Sequence, residues 1–404
     1  MTSRGKKFLV NYFNYRSILW RQVWGLAALL AAIIFSWMAY GIYQPKILKK
    51  LDFAELAAWL GIIQGLLAAF IEPLIGAFSD RIQRRLGSRL PMISVGVTLA
   101  GLIFVAASLL VEQNLQGGMR WLVPILMTVW VMAMIVFRGP AIALLRQLAP
   151  DKELPQANAV LVLVFGLVGA IGLLLDILLK SIGASITFIL GAIALVMGAY
   201  ILRLSNPTHT LGPSIINHSV SDSPISKLLL ILIFLIGLGA GLEVNLLLSI
   251  FPKVLQSQLP NIKLEFIASG ILWVSAIASV PLAQLTVKLG ANQTMLLGLG
   301  TIAALMKLTL SNYNNMLAIG LILAFGIAFG LVFIGMIPLA LGMLPPTHAG
   351  LSTGLYFGGG GGATAIVSLL MIQADLTPVT GFFLSAIAFL VVAFSIVISQ
   401  KINS

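Results

Sequence analysis

Long apolar runs separated by short polar breaks dominate the chain. Twelve runs reach roughly the 20 residues that a helix needs to cross a hydrocarbon layer. They lie at about 22–44, 54–78, 91–112, 121–145, 157–180, 182–204, 227–250, 264–287, 293–311, 316–342, 349–373 and 377–399. Every break is short except 205–226, which is rich in Ser, Pro, Asn and His. The pattern predicts an all-α integral membrane protein with twelve transmembrane helices in two pseudo-symmetric bundles. One six-helix bundle spans 1–204, a cytoplasmic linker spans 205–226, and a second six-helix bundle spans 227–404.

The halves repeat one another. Val136-Phe137-Arg138-Gly139 through Leu145, Leu148 and Pro150 matches Val332-Phe333-Ile334-Gly335 through Leu341, Leu344 and Pro346, at a constant offset of 196 residues. Pro73-Leu74 in the second run has a counterpart in Pro281-Leu282 of the eighth, and Lys288-Leu289-Gly290 stands where the first half has a basic loop. Shared Val and Leu carry little weight in apolar helices. Matched prolines carry more and argue for duplication, a plan that places a substrate site near the midplane between the halves.

Composition sharpens this picture. Hydrophobic residues make up 59% of the 404, mean hydropathy is +1.06, and charged residues are only 9%, against roughly a quarter in soluble domains. The net charge of +12 fits cytoplasmic loops facing anionic headgroups better than nucleic acid, since no basic–aromatic platform accompanies it. With no Cys there is no disulfide framework or thiolate site. The three His residues fall in loops without metal-ligand spacing, so no metal or cofactor is expected. The first run is long enough to be a retained helix and lacks a small-residue cleavage site.

Of the 24 Lys and Arg, fifteen fall on one set of breaks and termini and eight on the other, with Arg138 inside a run. That asymmetry puts both termini in the cytoplasm. The expectation is a multi-pass protein of the bacterial inner membrane, monomeric, with the lipid bilayer, a small-molecule solute and protons as partners and no nucleic acid.

The densest charge cluster is Glu72-Pro73-Leu74-Ile75-Gly76 through Ser79-Asp80-Arg81, Arg84, Arg85, Gly87, Arg89 and Pro91. Gly76, Asp80, Arg81 and Arg85 resemble the signature loop between the second and third helices of the major facilitator superfamily, G-x-x-x-D-R-x-G-R-R. The run from Ser79 to Pro91 is similar to the longer S-D-R-x-x-x-R-x-G-R-R-R-P variant of the sucrose-type and glycoside–pentoside–hexuronide sugar symporters, with Ser88 and Leu90 in place of two arginines. Arg138-Gly139-Pro140 and the following Ala143, Leu144, Leu145 and Leu148 resemble the fourth helix of the sucrose-type transporters, with Ile142 where that pattern has an arginine. The resemblance implies a latch in which Asp80 meets the start of the eleventh helix near Gly350 to Ser352, with Gly76, Arg81 and Arg85 in the loop and Arg146 as a second partner. Positive-inside anchoring alone explains the arginines but not Asp80.

Ionisable side chains inside apolar runs are costly and are functional candidates by default. Glu72 and Arg138 lie at similar depth and are expected to pair, either as a structural lock or with Arg138 binding substrate while Glu72 titrates. Glu243 follows the glycine-rich Gly237-Leu238-Gly239-Ala240-Gly241. An apolar surrounding favours the neutral form of a carboxyl, which suits a proton-coupling group. The alternative is a partner such as Lys307 near the outer mouth. Asp176 reads as a solvated helix end. Ser36, Tyr40 and Tyr43 share one helix face and are candidates for a cavity wall, with an aromatic belt at the membrane surface as the alternative, favoured for Tyr43. Trp130, Trp273, Asn245, Gln64, Gln284 and Gln373 are further candidates. Gly358 to Gly362 lacks the flanks of a phosphate loop and reads as close helix packing or as a bend.

These features predict a secondary transporter for a small organic solute, with sugars or glycosides implied by the loop resemblance. Two rivals stand beside it. One is a carrier of a larger amphipathic molecule such as a pigment, a folate-like compound or a lipid. The other is a non-transporting assembly factor on the same fold. No nucleophile–base set or nucleotide loop points to an enzyme.

Overall fold

The computed structural model describes residues 17–113, 115–206, 225–311, 314–373 and 376–403, and the side chains at 173, 174, 176, 177 and 403 fall outside that description. Most of the 205–226 break, the basic residues of the extreme N-terminus and the Asp176 side chain therefore lie outside the described residues. Among the described residues, twelve helices are long and apolar enough to cross a membrane. They are α1 (Trp20–Lys50), α2 (Ala54–Leu86), α3 (Leu90–Val111), α4 (Leu122–Ala143), α5 (Leu154–Ile182) and α6 (Ala184–Ser205). After the long break come α7 (Lys227–Ser249), α8 (Leu264–Leu289), α9 (Ala291–Leu310), α10 (Asn315–Met343), α11 (Ala349–Gln373) and α12 (Pro378–Asn403).

Helix is the form these apolar runs take because lipid offers no partner for backbone N–H and C=O groups, so each run must satisfy its own. The ends are marked locally. Pro91 and Pro155 stand in the first turns of α3 and α5, where a missing N–H is harmless. Gly87 and Gly290 reverse the chain after α2 and α8 with φ of 72° and 88°, a left-handed conformation that only glycine adopts freely. The two glycines occupy corresponding turns of the two halves.

Two apolar cores result. One draws on residues from Ile18 to Leu202 with Ile337, Leu341 and Ala349. The other runs from Leu229 to Ile396 with Ala159, Val162 and Ala170. The first is threaded by stacked rings: Trp130 lies between Tyr40 at 4.7 Å and Phe104 at 4.4 Å, and Phe104 stacks on Phe188 at 5.0 Å. Large apolar side chains such as Phe70, Leu74, Ile277 and Phe394 point outward instead, as a lipid-facing surface requires.

The halves meet along two seams. At α5–α8, a Cβ on Gly166 would stand 2.7 Å from the Leu272 carbonyl oxygen, and Ser269 Oγ donates to Ala170 O at 3.0 Å. At α2–α11, Gly65, Gly76, Gly354 and Gly361 bring the backbones together, the small-residue packing that lets membrane helices associate. Pro73 cannot donate to Ala69 O, and Gly358 packs against that carbonyl and the proline ring. The five glycines stay helical throughout. Gly358 and Gly361 face α2, Gly359 and Gly362 face α7, and Gly360 lines the cavity beside Gly237 and Gly241 of α7. Close packing on two sides accounts for the run without a bend.

Candidate functional site

A cavity of about 450 Å³ lies between the halves. Its walls come from α1 (Leu30, Ile33, Ile34, Trp37, Met38), α4 (Arg138, Ile142), α5 (Asn158, Leu161, Val162, Phe165), α7 (Gly237, Ala240, Gly241, Val244), α10 (Val332, Phe333, Met336, Ile337) and α11 (Tyr356, Phe357, Gly360). Arg138 is the one charged side chain among them.

Arg138 is held from behind. Its Nη2 donates to Glu72 Oε1, and Glu72 is buried beneath it. The guanidinium lies over the Phe357 ring, 5.1 Å from its centroid, a cation–π contact that fixes its plane. The Arg138 side chain retains 26% exposure. Its Nε and the second Glu72 oxygen are both buried without partners. Glu72 is enclosed between α2, α4 and α11, and Arg138 carries the charge to the cavity surface.

Asn158 was missed by the sequence reading. Its Nδ2 donates across the seam to Phe333 O at 2.9 Å and Ile334 O at 3.1 Å. Pro338 explains the acceptor, because it has no N–H to offer the carbonyl four residues earlier. The signal was present as a lone Asn near the start of an apolar helix and a proline inside α10, but nothing in the sequence connects them.

More hydrogen bonds cross between the halves at the end of the bundle that bears the basic loop. Asp80 accepts from Gly350 N and Leu351 N, both at 2.8 Å, at the start of α11. A carboxylate there meets free N–H groups and the positive end of the helix dipole. Arg146 Nη1 donates to Leu341 O at 2.9 Å, and its Nη2 to Asp151 at 3.2 Å. Gly76 approaches Gly350 so closely that no side chain fits between them. The arginine that neutralises Asp80 is Arg89, which is 1% exposed and also donates to Ser79 Oγ at 3.2 Å. Arg81 and Arg85 are exposed and make no hydrogen bond among the described residues. The reversal at Gly87 carries Arg89 back over Asp80, while Arg81 and Arg85 project from the end of α2.

Several other candidates stand away from the cavity. Tyr40 and Trp130 belong to the ring stack of the first core, and Tyr40 accepts from Gln64 Nε2 at 2.5 Å. Ser36 donates to Ala32 O at 2.8 Å and Tyr43 to Leu179 O at 2.5 Å. The face they share does exist, but it turns into the bundle, and the apolar stripe through Leu30, Ile34 and Trp37 faces the cavity. The same holds on α7. Glu243 is fully buried against α12, where Ser385 Oγ donates to it at 3.0 Å. The stripe through Gly237, Ala240, Gly241 and Val244 faces the cavity instead. Lys307 is exposed and does not pair with Glu243. Asn245 Nδ2 bonds Gly241 O of its own helix at 2.8 Å. Trp273 shares an outward stripe with Phe266, Ile277 and Val280, and Gln284 and Gln373 are exposed.

Twelve apolar helices around a cavity between two halves, with the loop after α2 locked onto α11, define a transporter architecture. The chain belongs to the major facilitator superfamily, whose family profile matches residues 25–368, and is thus a multi-pass integral membrane protein and not an enzyme. The solved structure of the human organic anion transporter MFSD10 (TETRAN) is similar over 92% of this chain and 99% of that one, with 14% identity and a TM-score of 0.67. The proton:xylose symporter XylE, bound to 6-bromo-6-deoxy-D-glucose, is similar over 95% of both chains at 11% identity and a TM-score of 0.71. A bacterial homologue of the iron transporter ferroportin, in an outward-facing state with soaked iron, covers 95% of this chain and 99% of its own at 15% identity and a TM-score of 0.68. These identities establish the fold alone. No curated protein matches the chain at a significant level.

Proposed function

We propose that the chain is a secondary transporter that moves a small organic solute across the membrane by alternating access. The cavity between α1, α4 and α5 of one half and α7, α10 and α11 of the other is its binding site. The supporting observation is that cavity, together with the hydrogen bonds from Asp80, Arg146 and Asn158 that cross the seam toward the basic end. In this reading the basic end faces the cytoplasm of a bacterial inner membrane, both termini lie inside, and the chain works as a monomer. Breaking the latch opens the cavity inward.

Of the two buried glutamates, Glu72 is the coupling candidate because it touches the one charged group in the cavity wall. Proton coupling predicts that uptake into proteoliposomes responds to an imposed pH gradient and that Glu72→Gln removes the response. Uptake indifferent to the gradient in the wild-type chain would rule coupling out.

The loop resemblance supports a sugar or glycoside as solute. The wall supports the amphipathic reading instead. A polyol needs several hydrogen-bonding side chains, and each hydroxyl left without a partner in a dry site costs about 1–3 kcal/mol. This wall places Arg138, Asn158 and Tyr356 among aliphatic and aromatic side chains, and the Asn158 amide N–H groups already serve α10. Uptake assays with a labelled glucoside beside a labelled aromatic solute discriminate the two.

A further inference from the structure

We propose that the cavity recognises an amphipathic organic anion, with its single acidic group on Arg138 and its apolar body against the surrounding rings. The inference rests on reading the cavity as the transport site, and deepens that reading by assigning the substrate class.

The guanidinium has donors to spare. Arginine carries five N–H donors in a fixed planar fork, and the structure engages only Nη2, on Glu72. Nε is buried away from the cavity, and Nη1, which makes no hydrogen bond among the described residues, is left for a ligand beside the second Nη2 proton. A planar guanidinium with unmade bonds matches the two oxygens of a carboxylate or sulfonate better than it matches scattered hydroxyls. Phe357 beneath it holds the plane in place, so little freedom is lost when an oxyanion docks.

The rest of the wall suits a flat or branched apolar body. Phe165 and Phe333 stack at 4.6 Å and present joined ring surfaces, and Trp37 lines the α1 side. In such a setting an anion without a cation is strongly disfavoured, so the acidic group must sit at Arg138. The cavity volume of about 450 Å³ is within the range of pockets that enclose drug-sized ligands, roughly 300–1,000 Å³.

Glu72 then has a defined part. It is a resident carboxylate on the same guanidinium, and an incoming oxyanion competes with it. Removing its charge frees the cation for the ligand, so Glu72→Gln strengthens anion binding where a merely structural pair would weaken or ignore it.

The test uses the full chain in lipid nanodiscs, titrated calorimetrically with 2-naphthoate and decanoate, with 2-naphthamide and methyl glucoside as neutral counterparts and empty nanodiscs as the partition control. The expected result is saturable binding of at least one anion, about tenfold or more tighter than the amide and the glucoside. Glu72→Gln tightens it by about tenfold, and Arg138→Gln abolishes it. Should Arg138→Gln fail to fold, the charge-balanced Glu72→Gln/Arg138→Gln chain replaces it, and it too should fold without binding the anions. Equal affinity for amide and naphthoate, no binding of either anion, or weaker anion binding by Glu72→Gln overturns the proposal. Flux of the same probes in proteoliposomes separates the two readings. Saturable naphthoate binding without flux leaves the anion site standing and removes the transport reading. Glucoside flux without anion binding does the reverse.

Discussion

Glu72 and Glu243 are both buried glutamates in the middle of apolar helices, one in each half, yet they sit in opposite relations to the cavity. Glu72 lies behind Arg138, and the arginine brings the pair's charge to the cavity wall. Glu243 points away from the cavity into the second bundle, where Ser385 of α12 donates to one oxygen and the α9 backbone at Ala303 lies beside the carboxyl. A carboxyl with a cation partner on an open surface communicates with whatever enters. A carboxyl enclosed among α7, α9 and α12 has no such contact with the cavity. Burial and residue type alone do not distinguish the two, and the neighbouring side chain does.

The contrast breaks most sharply at Arg138. Replacing it with Ala leaves the Glu72 carboxylate buried and unpaired, a change that destabilises by about 3–5 kcal/mol. Thermal unfolding of purified protein should show that loss, and adding Glu72→Gln should restore most of it without restoring solute binding. Asn158→Ala should come next. It removes two hydrogen bonds from α5 to α10 and strands the Ile334 carbonyl that Pro338 leaves free, an effect of about 1–3 kcal/mol. Because these bonds bridge the halves at the basic end, the variant should show increased labelling of cysteines placed inside the cavity from that side. Unchanged labelling would remove Asn158 from the latch.

Glu243→Gln sharpens the comparison from the quiet side. The amide oxygen still accepts from Ser385, so stability should change by no more than about 1 kcal/mol, and both solute binding and the response to a pH gradient should persist. A gradient response that vanishes in Glu243→Gln and survives in Glu72→Gln would exchange their roles. The smallest effect belongs to Arg85→Ala. An exposed arginine without a partner should change stability by less than about 0.5 kcal/mol, whereas Arg89→Ala leaves Asp80 buried without its cation and should unfold measurably earlier.

Much of the architecture was legible because apolar length is a direct statement about a bilayer. The twelve spans followed from run lengths, and each corresponds to a helix, with ends shifted by up to several residues. The lysine-rich end of α1 stayed helical past the predicted stop at 44, through Pro45 to Lys50. In the basic loop, the position of Asp80 near Gly350 came from resemblance, while the choice of Arg89 over Arg81 and Arg85 depended on the turn at Gly87. The cavity wall was the least legible part. Polar and aromatic residues were expected to line it, as Tyr40, Trp130, Glu243 and Asn245 illustrate. In the structure those side chains turn into their own bundles, Tyr40 and Trp130 into the ring stack, Glu243 to Ser385 and Asn245 to the Gly241 carbonyl.

The sequence by itself determined that this chain crosses a membrane many times, because hydropathy is local and additive along each run. It also placed an arginine and a glutamate at similar depth in the first half, where the cost of a charge in an apolar span favours a partner. Only the tertiary structure decided which face of each helix meets the cavity, and that Arg138 reaches it while Glu243 does not. That choice turns on the rotation of helices against one another, set by glycines on α2, α7 and α11 and by rings stacked across α1, α3, α4 and α6. Such contacts join residues far apart in the chain, and no single run contains the information to place them.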